Sequence, residues 1–265
     1  MTVKLGADPL NTRDRVLLGC LGLVGTAFLG EVLLRTGVVS AVGLALPSVV
    51  LAEAGGLLAD DGFLEAVGFT VRELALGLGM ATVVGTLLGG LMGASRTASV
   101  MFELPVEILR PLPSIAVGPV LVLLLGSGML PNAITVSVAC LWPILFNAMY
   151  GVQAVDKTAV QTAKTLRLSP WTIATRVKLP AALPFVFTGV RVSASIGLIV
   201  AVSVELLIGS GAGIGGFILL ASTSGSNLDV VYAATLIGGI LGVLISLVLG
   251  GLERLAFPWK AGLAQ

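Results

Sequence analysis

The stretch 230-VVYAATLIGGILGVLISLVLGGL-252 contains no charged residue. The hydrocarbon core of a bilayer is about 30 Å thick, and a helix that rises about 1.5 Å per residue needs about 20 apolar residues to cross it. This stretch meets that requirement without interruption. We therefore predict a membrane-spanning helix here, and we expect the bilayer to be the solvent that decides the fold.

The rest of the chain extends this interpretation. Of its 265 residues 56% are hydrophobic and 11% are charged, against about 25% charged in a soluble domain. Five further segments are long and apolar enough to span: 16–36, 70–94, 108–127, 130–151 and 182–208. We predict an all-α, polytopic membrane protein with about six transmembrane helices. The prolines in 108–127 require neighbouring helices to shelter that span.

The domain organisation follows from these spans. We expect a cytoplasmic N-terminal arm at 1–15, a first transmembrane helix with its outer connection at 16–45, and a transmembrane domain at 46–265. Between the first two spans, 47-PSVVLAEAGGLLADDGFLEAVGF-69 mixes short apolar runs with acidic residues. That mixture favours an amphipathic stretch at the membrane surface.

Several function classes are excluded by composition. A net charge of +1 gives no electrostatic footprint for nucleic acid. There is no histidine, and Cys20 and Cys140 lie in separate apolar segments, which argues against a zinc site or a disulfide framework. The sequence has no G-x-x-x-x-G-K-[ST] loop for ATP and no converging acid and base. We therefore assign no chemical step to this chain, and we expect that it is not an enzyme and binds no cofactor or metal.

Loop charges predict the orientation, because Lys and Arg concentrate on the cytoplasmic side. With both termini inside, the outer side holds Arg35, and Arg72 lies near the outer end of the second span. The inner side then holds Lys4, Arg13, Arg15, Arg96, Lys157, Lys164, Arg167, Arg176, Lys178, Arg254 and Lys260. We therefore expect a multi-pass protein of the cell membrane with both termini in the cytoplasm.

The longest inner loop, 154-AVDKTAVQTAKTLRLSPWTIATRVKLP-180, predicts two short helices. Ala159, Ala163 and Leu166 recur at helical spacing. Ser169 followed by Pro170 is a helix-start signal, because a serine side chain can cap a helix and proline fits its first turn. From the residues alone, this loop is either a basic anchor at the membrane surface or an element that a partner protein grips.

This loop resembles the EAA motif of bacterial ABC import permeases, E-A-A-x-x-x-G followed by I-x-L-P. The motif residues here are Gln161, Thr162 and Ala163, then Arg167, then 177-VKLP-180. Gln161 replaces the usual glutamate and Arg167 the usual glycine. The segments 109-LRPLPSIAVGP-119 and 177-VKLPAALP-184, and Glu205 followed by 213-GIGGFI-218, are similar to permeases of the nitrate, sulfonate and taurine branch.

The resemblance implies the transmembrane domain of a type I ABC importer, working as a dimer with a second copy or a homologue. It implies two ATPase subunits, which bind ATP and Mg²⁺, on the cytoplasmic side and an extracytoplasmic binding protein that delivers a small anion or zwitterion. Loop 156–180 would couple to the ATPase, whose groove we expect to close over Ala163. The coupling residues that it implies are Gln161, Thr162, Ala163, Arg167, Leu168, Ser169, Pro170 and Trp171.

Polar residues inside spans are expensive, and they are candidates for the translocation pathway: Arg110, Trp142, Asn147, Arg191 and Glu205. Structural alternatives exist for each.

We expect Arg110 to pair with Glu103 and Glu107, and Arg191 to reach the interface or a backbone carbonyl. Pro143 would kink the fourth span, with Trp142 packed there and Asn147 bridging a neighbouring backbone.

Glu205 could line the passage, cap the glycine turn after it, or pair with Arg72. The pair Arg72 and Glu73 is expected at the membrane interface. The glycine-rich stretch 209–229 suggests a short outer helix. The alternative function is a stand-alone secondary transporter or channel, which should carry ion-coupling carboxylates at mid-span.

Overall fold

The structure is a computed structural model that describes residues 12–39, 43–209, 212–225 and 228–258. Most of the expected N-terminal arm lies outside the described residues. The described chain is helical, and a π-helical turn, Ala174–Lys178, joins α8 to α9. The helices are α1 (Thr12–Arg35), α2 (Pro47–Leu57), α3 (Asp61–Ala94), α4 (Arg96–Leu109), α5 (Ser114–Leu125), α6 (Met129–Gln153), α7 (Lys157–Thr165), α8 (Pro170–Ile173), α9 (Leu179–Ile208), α10 (Gly213–Thr223) and α11 (Leu228–Ala256).

The predicted number of spans is confirmed within the described residues. Helices α1, α3, α6, α9 and α11 are each long and apolar enough to cross a bilayer, and the bent pair α4 and α5 makes a sixth if its two helices count together as one broken span. That pair is not the single segment expected at 108–127, because the two helices meet at an angle of 87°. The break coincides with Pro111 and Pro113, which cannot donate backbone hydrogen bonds.

The stretch 47–69 differs from the predicted surface segment. Its first half is α2, which packs against α11, and its second half extends α3 by nine residues beyond the expected start at 70. Phe63 is fully buried and its ring packs edge-on against Phe217 of α10, with 5.0 Å between centroids. The apolar residues of this stretch therefore pack against other helices of the protein and do not serve only as a membrane-surface face.

Helices α3, α6 and α9 form the centre of the bundle. They approach closely where glycines face the neighbouring helix, because membrane helices gain most of their association energy from close packing. We call the end of the bundle that carries residues 156–180 the loop end, and the opposite end the far end.

Gly77 illustrates how close this packing is. A Cβ atom at Gly77 would lie 2.6 Å from the carbonyl oxygen of Ala133 and 2.8 Å from Cβ of Val136, both in α6. Gly79 lies two residues along the same helix, and a Cβ there would meet no atom within 4 Å. The first glycine is required by helix contact, whereas the second is not.

Gly77→Val should therefore force α3 and α6 apart and lower the free energy of unfolding by about 1–3 kcal/mol. We expect a lower melting temperature and less monodisperse protein in detergent. Gly79→Val is the matched control and should behave as the unsubstituted chain does. Equal losses in both variants would show that helix packing at Gly77 is not the cause.

Candidate coupling surface and far-end polar network

The loop at 156–180 is a rigid two-helix unit held by three local caps. Asp156 accepts a hydrogen bond from the backbone N–H of Thr158 at 2.8 Å, at the start of α7. The Ser169 hydroxyl accepts from the backbone N–H of Thr172 at 3.1 Å, which confirms the predicted start of the second helix. Such caps each stabilise a helix end by about 1 kcal/mol.

Arg167 makes the third cap, at the end of α7. It adopts a left-handed backbone conformation with φ of 54°. The N–H of Arg167 donates to the carbonyl of Lys164 and the N–H of Leu168 donates to the carbonyl of Ala163, which is the hydrogen-bond pattern of a Schellman motif. This is the position where the resembling family has glycine, and the chain keeps the glycine geometry with an arginine.

Because glycine adopts this conformation without steric cost, Arg167→Gly should leave the loop geometry and transport near the unsubstituted level. Arg167→Val should weaken the cap, since a β-branched side chain tolerates a positive φ poorly. Uptake assays and limited proteolysis of the loop would measure both variants. A large loss of uptake in Arg167→Gly alone would instead assign the guanidinium itself a contact with a partner.

The two-helix unit presents apolar side chains to the outside. Trp171 is 77% exposed and Leu166 is 69% exposed, and Leu168 is also exposed. Exposed tryptophan and leucine clusters on a rigid element are typical of a protein-binding surface. We call Leu166, Leu168 and Trp171 the apolar tip of the loop. Gln161, Thr162, Ser169 and Pro170 are also exposed.

Ala163 does not lie where we expected it. It is only 5% exposed in this chain alone, and with Ile173 it is one of the buried residues of the two-helix unit. Helix α7 packs against α8 and the π-helical turn, so a small residue at 163 lets the two helices approach. The helical spacing predicted the helix correctly, but it did not show which face the second helix would cover.

Glu205 lies at the far end, where it joins three helices. Its side chain is fully buried, and Oε1 accepts a hydrogen bond from the Thr70 hydroxyl of α3 at 2.8 Å. Oε2 accepts from the backbone N–H of Gly215 at 2.9 Å, in the first turn of α10. Thr70 Oγ1 also accepts from the N–H of Ile214 at 2.9 Å. One carboxylate therefore fixes α10 to α3 and α9.

Of the three roles considered for Glu205, the structure shows the cap of the glycine turn. A side chain at Gly213 would overlap its carboxyl group, so the turn must be this small. Pairing with Arg72 is wrong, because Arg72 is exposed and its guanidinium donates to the carbonyl of Gly68 at 2.9 Å. Lining the passage would require a carboxylate open to it, and in this conformation Glu205 is enclosed.

Glu73 and Asn132 complete what we call the far-end network: Thr70, Glu73, Asn132 and Glu205. Asn132 Nδ2 in α6 donates to Glu73 Oε2 at 3.1 Å. Glu73 is fully buried within the protein, whereas Arg72 is exposed, and the interfacial position expected for this pair stays a prediction. Sequence reasoning missed Thr70, Glu73 and Asn132. The signal was present: Thr70, Glu73 and Gly77 fall on one face at intervals of three and four.

Arg110 lies at the end of α4, at the bend. Its guanidinium carbon lies 4.8 Å from the centroid of the Phe146 ring of α6, in a cation–π arrangement. The expected ion pairs to Glu103 and Glu107 are not formed among the described residues. All three side chains instead line a cavity of about 310 Å³ near the loop ends of α3 and α6.

Arg191 pairs with Glu253 across helices, at 3.4 Å between Nη1 and Oε2. The expected backbone-carbonyl partner is therefore wrong, because α11 offers a carboxylate, and the interfacial position of Arg191 stays a prediction. Thr188 also donates to Glu253, at 3.1 Å. Asn147 Nδ2 donates to the carbonyl of Pro143 in its own helix at 2.8 Å, and among the described residues it makes no hydrogen bond to a neighbouring helix. Trp142 Nε1 is buried without a partner among the described residues.

The five expected pathway residues thus do not form one site. Arg110 lies at the α4–α5 bend, Arg191 joins α9 to α11, and Glu205 lies at the far end. Trp142 and Asn147 are half-buried in the middle and loop-end half of α6. The organised features of the chain are the capped loop with its apolar tip and the far-end network.

Comparison with known proteins agrees with this architecture. The nitrate import permease of Synechocystis sp. is 31% identical over 75% of this chain and 72% of its own length. The taurine transport system permease of Escherichia coli is 27% identical over 95% of this chain and 92% of its own. The inward-facing MetNI methionine ABC transporter has the same fold, with a TM-score of 0.62 at 18% identity over 73% of this chain and 95% of that one.

Residues 81–260, more than half of the chain, match the family described as the inner membrane component of binding-protein-dependent transport systems. The match contains α6, the capped loop, the far-end residue Glu205 and the whole of α11. It agrees with the helical fold and with the apolar spans. The chain therefore belongs to the binding-protein-dependent transport system inner membrane components, the permease subunits of ABC importers.

Proposed function

We propose that this chain is the permease subunit of an importer driven by two separate ATPase subunits, working as a dimer with a second copy or a homologue. The apolar tip carries this proposal, because the capped loop is rigid enough to transmit a force and exposes Trp171 for a partner. A rigid element can transmit a movement of the ATPase subunits to a helix bundle that has two packing arrangements. The loop 156–180 is the lever.

The cargo we propose is a small anion or zwitterion such as nitrate, a sulfonate, taurine or a related organic acid, delivered by an extracytoplasmic binding protein. Support comes from the nitrate import and taurine transport relatives, and the taurine relative aligns along nearly the whole chain. Competition by each compound against uptake of a labelled cargo would identify the one that the importer transports.

We propose that the loop end is cytoplasmic, as the loop charges predict, with both termini on that side of the cell membrane. Ser169→Cys and Ser224→Cys, each in a background without Cys20 and Cys140, place one reporter at each end of the bundle. An impermeant thiol reagent applied to intact cells should label position 224 and not 169. The reverse labelling would overturn this orientation.

The direct test of the proposed assembly is to purify the tagged chain in mild detergent together with a candidate ATPase subunit. We expect a stable complex with two ATPase subunits for each permease dimer, and ATP hydrolysis that cargo-loaded binding protein stimulates. A permease that purifies without any ATPase, and that transports without one, would contradict the proposal.

A further inference from the structure

Two buried oxygen atoms in the far-end network lack a hydrogen-bond donor. Among the described residues, Glu73 Oε1 and Asn132 Oδ1 have no partner, although the two side chains are 0% and 1% exposed. Both atoms are acceptors, and the two side chains already touch through the bond from Asn132 Nδ2 to Glu73 Oε2. Buried polar atoms in native proteins are nearly always paired. This pair therefore lacks one donor hydrogen.

The amide orientation does not explain the missing donor. Rotating Asn132 by half a turn about its last bond would exchange Nδ2 and Oδ1, so that Nδ2 would donate to Glu73 Oε1 instead of Oε2. Either orientation makes one hydrogen bond and leaves Asn132 Oδ1 and one oxygen of Glu73 without a donor. The missing hydrogen comes from Glu73 itself or from a bound donor such as water.

No positive charge faces Glu73 from the helices packed around it. Helices α6 and α10 contain no charged residue. The charged residues of α9 are Arg191, which pairs with Glu253, and Glu205, which is negative and accepts from Thr70 and Gly215. Arg72 points away and is exposed. The charged residues of α4 lie beyond the other end of α3, about 30 Å along that helix.

We propose that Glu73 and Asn132 form a proton-binding site. A proton on Glu73 Oε1 donates to Asn132 Oδ1, which closes a ring of two hydrogen bonds between acid and amide. One hydrogen then satisfies both atoms that lack a partner. It also leaves a single negative charge in the network, on Glu205, whose two oxygens both accept hydrogen bonds from Thr70 and Gly215.

A metal cation fits this site less well than a proton. A hard cation needs about six oxygen ligands, whereas the site offers the two atoms named above, because both oxygens of Glu205 are already occupied. Within the described part of the chain no cluster of three or more acidic, histidine or cysteine side chains could hold a metal. The proton requires no group beyond those present.

The same substitution at the two glutamates separates the two roles. In Glu73→Gln the new amide donates to Asn132 Oδ1 and still accepts from Asn132 Nδ2, so it copies the protonated acid. In Glu205→Gln the new amide places a donor against Thr70 or Gly215, both of which donate already. We expect Glu73→Gln to assemble with its partners and to melt at the temperature of the unsubstituted protein, and Glu205→Gln to reduce uptake about tenfold or more.

Infrared spectroscopy of the purified complex at neutral pH tests the proton directly, because a protonated carboxyl group has a carbonyl stretch that a carboxylate lacks. We expect this band in the unsubstituted protein and in Glu205→Gln, and its loss in Glu73→Gln. A band that survives Glu73→Gln, or a Glu73→Gln variant that fails to assemble, would overturn the proposal. So would stabilisation of the unsubstituted protein by sodium or potassium that Glu73→Gln abolishes.

Discussion

Trp171→Glu should separate the permease from its ATPase subunit while leaving the membrane bundle folded. Trp171 is 77% exposed at the apolar tip, so it contributes little to packing among the described residues. A partner groove that accepts the indole would have to bury an unpaired carboxylate instead. Central tryptophans of interfaces contribute about 2 kcal/mol or more, so the complex should weaken at least about thirtyfold. Co-purification and ATP-dependent uptake would measure this loss.

Two variants control for this result. Trp171→Phe keeps an apolar ring and should keep most of the complex. Leu58→Glu adds the same charge at an exposed leucine between α2 and α3, at the far end of the bundle, and should keep the ATPase. If Trp171→Glu retained the ATPase and transported normally, the loop would be a membrane-surface anchor, which tolerates such a change.

Ala163→Glu would be the natural test of docking if the partner groove closed over Ala163, as the resemblance implies, but it is a poorer choice. Because Ala163 is buried between the two helices of the loop, a glutamate there would disturb the loop itself. Loss of the ATPase in that variant would follow from either cause. The apolar tip allows the docking surface to be changed without changing the fold of the lever.

Glu205→Gln should reduce uptake about tenfold or more, with the ATPase subunit retained. A glutamine has one acceptor oxygen and one NH₂ group, so either the Thr70 hydroxyl or the Gly215 N–H loses its acceptor. A buried donor without a partner costs about 1–3 kcal/mol, which loosens α10 from α3 and α9. Uptake kinetics and protease sensitivity of the α10 region would report the effect.

The matched control for Glu205→Gln is Glu65→Gln, the same chemical change at an exposed position near the far end of α3. It should leave uptake and protease sensitivity unchanged. Normal uptake in Glu205→Gln, with α10 as protected as in the unsubstituted protein, would mean that the carboxylate does not hold α10 in place.

Much of the fold could be predicted because each helix can be recognised from its own stretch of sequence. An apolar run of about 20 residues is a span wherever its neighbours lie, and Ser169 with Pro170 starts a helix through local contacts alone. The 87° bend between α4 and α5 was harder. Prolines show that a helix is interrupted, but the angle depends on the helices that pack around it.

The polar contacts could not be predicted in the same way, because they join residues far apart in the chain. Glu205 meets Thr70, 135 positions away, and Glu73 meets Asn132, 59 positions away. Arg191 has no acidic neighbour in its own helix until Glu205, and its actual partner is on α11. Each side chain shows that it needs a partner when buried, but only the packing of helices decides which one it finds.

The central claim, that ATP hydrolysis by a separate subunit drives import through this chain, is tested most directly by reconstitution. Purified permease with its ATPase subunits is placed in proteoliposomes, with binding protein and labelled cargo on the far-end side. Accumulation should require ATP on the loop-end side and should disappear with Trp171→Glu. Accumulation without ATP, driven by an ion gradient, would contradict the account and would support a secondary transporter.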